Sequence, residues 1–132
     1  MAVPPHGVAV RPIFGLLVHH TVTLPSNPRT PTIFCPGGHD ALWQSLRTVE
    51  LYDPALDSWS PGPSLPSPLS FAGGASIDGR PYVVGGTMFV SSVARLDPAD
   101  EAWGVCPQLK TPRVHGAVAA LGGRHGGTVL LP

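Results

Sequence analysis

Thr48-Val49-Glu50-Leu51-Tyr52-Asp53-Pro54 recurs as Ser92-Val93-Ala94-Arg95-Leu96-Asp97-Pro98, 44 residues further on. Other landmarks repeat at the same offset: Trp59 with Trp103, Ser64-Leu65-Pro66-Ser67-Pro68 with Gln108-Leu109-Lys110-Thr111-Pro112, and Asp78-Gly79 with Gly122-Gly123. The double glycine Gly37-Gly38 recurs as Gly85-Gly86 at an offset of 48, and the four additional residues fall between Gly38 and Thr48, where a loop absorbs them. A shared offset across so many landmarks marks a tandem structural unit rather than a coincidence of composition. Short β-rich runs fill the units at 32–35, 48–52, 71–77, 81–84, 93–96 and 114–121. Turn signals separate them, among them Asp53-Pro54, Asp78-Gly79 and Gly85-Gly86, so the pattern predicts an all-β chain without a long amphipathic helix.

Composition narrows the function. Charged residues make up 12% of the 132-residue chain, with 8 basic against 8 acidic. Zero net charge argues against a nucleic-acid binder, which needs a cationic surface to displace counterions, and against a polybasic membrane patch. Gly (16) and Pro (17) make 33 of 132 residues, which favours short strands and many turns. No run of 18 apolar residues suggests a membrane helix. The apolar run 13–18 is short and ends at His19-His20, so it does not read as a secretory leader. Asn27 precedes Pro28 and is no glycosylation acceptor. Cys35 and Cys106 read as two free, partly buried thiols in a reducing compartment, and the expected location is cytoplasmic.

The order of apolar strand, double glycine, variable stretch, Tyr-Asp-Pro, short gap, Trp, then Pro and a further apolar strand resembles the kelch repeat. Gly37, Gly38, Tyr52, Asp53 and Trp59 carry it in one unit; Gly85, Gly86, Leu96, Asp97 and Trp103 carry it in the next. The spacing within a unit is similar to that of the kelch-like (BTB-kelch) adaptor family. Leu96 stands where the motif has a second aromatic, and Pro36 precedes the first double glycine. The resemblance implies a partial kelch β-propeller: units at about 32–60, 64–106 and 108–132, of which one is a complete four-stranded blade between two partial ones. Residues 1–31 read as a proline-rich, poorly ordered leader, with one strand near 16–24. A propeller closes with about 4–8 blades, so the chain is expected to be a truncated fragment or isoform of marginal stability. In the blade, Asp78-Gly79 closes a hairpin, the double glycine ends strand two, and Tyr52 with Trp59 fills the wedge between blades, as Leu96 does with Trp103.

A search for chemistry finds no nucleophile elbow and no phosphate loop. Cys35-x3-His39 is the nearest approach to a metal pair, short of the three or four ligands that zinc needs. The carboxylates sit in turns, not as a facing catalytic pair. No catalytic residue, metal or cofactor is expected, and the chain is not read as an enzyme. What remains is loop surface. In the kelch-like family one face, made by the loops after the double glycines and by the links between blades, captures peptide segments of partners. The positions here are His39, Trp43 and Gln44 in the first loop, Thr87, Met88 and Phe89 in the second, and Phe71 and His115 in the links. Trp43, Met88 and Phe89 are of the type enriched at interface anchors, although they could instead pack on the blade edge. The family sometimes places arginine at the link position; Phe71 and His115 do not repeat that, which disfavours an acidic partner motif.

The resemblance thus implies an interaction module for an unknown protein partner, from a substrate adaptor of a cullin-type ubiquitin ligase. The ligase-gripping part is absent from this sequence, so contact with the ligase scaffold is not expected from this chain alone. The alternatives are a non-functional truncated isoform and, remotely, a kelch-type propeller enzyme.

Overall fold

The computed structural model describes residues 18–24, 27–87, 91–121 and 128–130, with the backbone alone for 18–24, 27–31 and 128–130. These residues form no helix. They form β1 (Val18–Leu24), β2 (Asn27–Pro36), β3 (Val49–Asp53), β4 (Ser58–Gly62), β5 (Gly73–Ile77), β6 (Arg80–Val84), β7 (Val93–Asp97), β8 (Ala102–Cys106), β9 (Ala119–Leu121) and β10 (Thr128–Leu130). Strands β1 to β4 make one antiparallel sheet in chain order, β5 to β8 a second, and β9 and β10 a two-stranded piece. The architecture is that of a partial kelch propeller.

Local chemistry behaves as the repeat predicts. Asp78 and Gly79 take left-handed φ values of 49° and 73° in the turn after Ile77, which pairs with Arg80. Asp53 Oδ1 accepts the N–H of Ala55 at 2.8 Å, and Asp97 Oδ1 accepts that of Ala99 at 3.0 Å, so each Asp-Pro turn is braced by its own aspartate. Tyr52 lies opposite Trp59 and Leu96 opposite Trp103.

The first unit differs from expectation. It was expected to be partial, but β1 supplies a fourth strand, at the place where a strand near 16–24 was anticipated. The boundary expected at 32 falls inside β2. Pro28 and Pro31 favour a leader at that stretch, because proline cannot donate to a ladder. Strand β3 pairs with β2 only from Ile33 to Pro36, so both prolines lie where β2 has a neighbour on one side only. The rest of the expected leader, residues 1–17, lies outside the described residues, as does the turn Gly122-Gly123.

Burial shows how the blades meet. In β3 the buried side chains are Val49, Leu51 and Asp53; in β7 they are Ala94 and Leu96, the other face of the repeat. Strand side chains alternate between faces, so one blade covers its neighbour with the opposite set of positions. The result is one apolar cluster between the blades: Phe34, Val49 and Leu51 from the first, Val83 and Leu96 from the second, and Leu65 and Leu69 from the link. Burying such side chains contributes about 1.5–3 kcal/mol each. Trp103 packs against this cluster, and its Nε1–H donates to the Pro63 carbonyl at 2.7 Å.

Trp59 holds the equivalent place on the first blade but fills no wedge between described blades: it is 45% exposed. Its face of the first blade looks away from the second. There it tilts against Tyr52 at 5.0 Å, and Tyr52 donates its hydroxyl to Asp57 at 2.6 Å, a bond that raises the phenol pKa. Cys35 lies on the same face opposite Glu50; partial burial, and then the Glu50 charge, push its thiol from 9.0 to about 11. Cys35 and Cys106 are both free.

Backbone bonds lock each double glycine to the link of the succeeding unit. Gly38 N–H donates to the Leu69 carbonyl at 2.8 Å, and Gly86 N–H to the Arg113 carbonyl at 3.0 Å. Gly37 and Gly85 have φ values of 66° and 72°, and a Cβ on either would overlap the carbonyl oxygen of Leu69 or Arg113 respectively. The double glycine therefore meets both a dihedral and a steric requirement.

Covered and open faces should respond differently to substitution. Trp103→Phe, which leaves the Pro63 carbonyl without its donor, is expected to cost about 1–2 kcal/mol in urea unfolding, while Trp59→Phe stays within about 0.5 kcal/mol. Equal losses would contradict the assignment of the two faces. At pH 8 the Cys35 thiolate is about a hundredfold scarcer than for an unshifted thiol, partly offset by greater intrinsic reactivity. Iodoacetamide should accordingly label folded Cys106→Ser protein at least about tenfold more slowly than the same protein unfolded in urea; comparable rates would refute the shift.

Candidate functional site

The first loop, four residues longer than the second, holds a braced turn at 40–44. Asp40 N–H donates to the Gln44 carbonyl at 3.0 Å, and Trp43 N–H to the Asp40 carbonyl at 3.1 Å. The Asp40 side chain closes the turn from within: its Oδ1 accepts the N–H of Leu42 at 2.8 Å and of Gln44 at 2.9 Å. The base of the loop is held by the bridges His39–Ser45 and Leu46–Leu69 and by a 2.9 Å hydroxyl pair between Ser45 and Ser70. Arg47 and Leu65 tie it further, each donating to the other's backbone carbonyl, at 2.9 Å from the Arg47 Nε–H and 2.8 Å from the Leu65 N–H.

This frame carries Leu42, 77% exposed, and Trp43, 70% exposed. Trp43 sits at φ 61°. A left-handed backbone costs a bulky residue about 1–3 kcal/mol, which glycine or asparagine would largely avoid. The turn thus holds a strained, exposed indole in one fixed position.

Aromatic rings continue inward from it. Trp43 stacks on His39 with centroids 4.3 Å apart and planes 24° from parallel. His39 lies 5.5 Å from Phe71, and Phe71 4.3 Å from His115. Phe71 and His115 are 44 residues apart, at the same place in successive units. Both have left-handed φ values, 59° and 53°, and His115 N–H donates to the Phe71 carbonyl at 3.2 Å. One loop and two links, drawn from three units, thereby form a continuous ladder.

Four of the eight candidate contact residues come together in this ladder: His39, Trp43, Phe71 and His115. His39 supports the ladder rather than presenting a surface, being 4% exposed beneath Trp43, with Nδ1 3.2 Å from the Asp40 carbonyl. Gln44 is exposed and contributes its backbone to the turn. Thr87, half-buried, ends the described part of the second loop; Met88 and Phe89 lie outside the described residues. Leu42 and Asp40 were not singled out as site residues from the sequence. The signal was present as the extra residues of the first loop, with an aspartate two positions before the apolar pair. Cys35 and His39 serve different places, the open face of the first blade and the ladder. Among the described residues, no three histidine, cysteine, aspartate or glutamate side chains gather as a metal set.

Comparison with known proteins agrees with this geometry. The Kelch motif model matches residues 31–66. Alpha-scruin of Limulus polyphemus is 37% identical over 68 residues, covering 52% of this chain and 7% of that protein. Beta-scruin of the same animal is 38% identical over the same length, again 7% of the relative. Human Kelch-like protein 35 is 41% identical over 54 residues, 41% of this chain and 9% of the relative. The matched stretch is thus a small part of each of these proteins. Two tandem four-stranded blades, the matched motif and these relatives together support a kelch-repeat protein.

Proposed function

We propose that this chain is a protein-interaction module whose partner docks on the loop face, with Leu42 and Trp43 as anchors and Phe71 and His115 extending the contact. Kelch repeats indicate a protein–protein interaction module in general. The observation that carries the specific reading is an exposed indole held at a left-handed backbone by a braced turn and backed by a ladder of rings. Interface anchors have this character: a large, rigid aromatic group ordered before the partner arrives. The module works by binding rather than catalysis. Its proposed place is the cytoplasm, as the substrate-capturing part of a kelch-like ubiquitin-ligase adaptor, a role that rests on the resemblance of the repeat to the kelch-like adaptor family; the similarity to Kelch-like protein 35 supports the kelch-like part of that reading. No helix among the described residues is long and apolar enough to cross a membrane.

A second reading has its own observation. The uncovered face of the first blade, where Trp59 is 45% exposed, favours a larger ring in which a further blade covers that face.

Proximity labelling in cells with the chain fused to a biotin ligase tests the loop assignment. Trp43→Asn keeps a residue that tolerates the left-handed backbone and is expected to lose partners that Trp59→Phe retains. An unchanged partner set in Trp43→Asn, or equal loss in both variants, would count against it.

A further inference from the structure

Resting on that loop-face reading, we propose that the turn at 40–44 takes a basic side chain of the partner, arginine or lysine, on the outer face of Trp43 beside the Asp40 carboxylate. One face of the indole is occupied by His39, and the 70% exposure of the residue leaves the opposite face to solvent. Tryptophan is the ring that attracts a cation most strongly through its quadrupole. Asp40 supplies the complementary charge. Its Oδ1 is committed to the N–H groups of Leu42 and Gln44, which flank Trp43 in the chain, so the carboxylate is fixed against the backbone of the turn that displays the ring. A guanidinium lying flat on an indole can direct its edge donors to an adjacent carboxylate, and charge-assisted bonds are the stronger kind. The nearest cation on the same loop, Arg47, is turned to the Leu65 carbonyl at the loop base. Leu42, exposed beside Trp43, offers apolar contact for the stem of a long basic side chain.

The test uses the 132-residue chain and three pools of fluorescent peptides, equal in length and differing only in a central basic, acidic or neutral residue. Fluorescence anisotropy is expected to show the basic pool binding about tenfold more tightly than the other two. Asp40→Asn retains a carbonyl oxygen for the two N–H groups of the turn and removes the charge; it should abolish most of that preference. Trp43→Asn should abolish binding, and Trp59→Phe should leave it intact. Equal or tighter binding of the acidic or neutral pool, still dependent on Trp43, would overturn the basic specificity and leave the loop-face reading standing. Basic-pool binding that survives Trp43→Asn would overturn the placement on the ring, and no binding by any pool would overturn both readings.

Discussion

The hydrogen bond from the second glycine of each double glycine to the carbonyl of the next unit's link is the constraint on which the arrangement depends. Gly38 makes it to Leu69 and Gly86 to Arg113. Each bond places the next innermost strand against the end of strand two, and neither approach is possible with a Cβ on Gly37 or Gly85. The same contact brings residues two positions past each carbonyl, Phe71 and His115, to the mouth of the neighbouring loop. The fold lock and the position of the ladder are one piece of geometry.

Between the blades the stabilising term is apolar burial, and it acts on one face of each sheet at a time. Val49 and Leu51 point into the shared cluster from the first blade; Leu96 and Trp103, from the alternate set of positions, point into it from the second. Tyr52 and Trp59 therefore carry the motif of Leu96 and Trp103 without sharing their burial. Their ring contact and the Tyr52–Asp57 bond hold them together on a face that no other described blade covers. The two tryptophans obey one local rule, yet their surroundings differ because only one of them has a described blade beside it.

The loop face joins a repeated feature to an unrepeated one. Phe71 and His115 are related by the period and share a backbone conformation. Asp40, Leu42 and Trp43 belong to the first loop, which is four residues longer than the second. Asp40 makes that loop rigid by taking backbone donors that an exposed turn would otherwise give to water. A rigid indole loses little conformational freedom on binding, which suits it to act as an anchor.

The period, the Asp-Gly and Asp-Pro turns, the pairing of Tyr52 with Trp59 and the need for glycine at 37, 38, 85 and 86 were all legible in the chain, because each stems from dihedral preference or from partners a fixed number of residues away. The strand hidden behind Pro28 and Pro31 was only half legible, since whether a proline is tolerated depends on how far the neighbouring strand extends. His39, Trp43, Phe71 and His115 could be named from the repeat, but their stacking into one ladder could not. That stacking, the brace from Asp40, and the choice of Trp103 over Trp59 for burial were settled only in three dimensions. They depend on which blade lies against which face, and on groups brought together from separate units by the glycine locks.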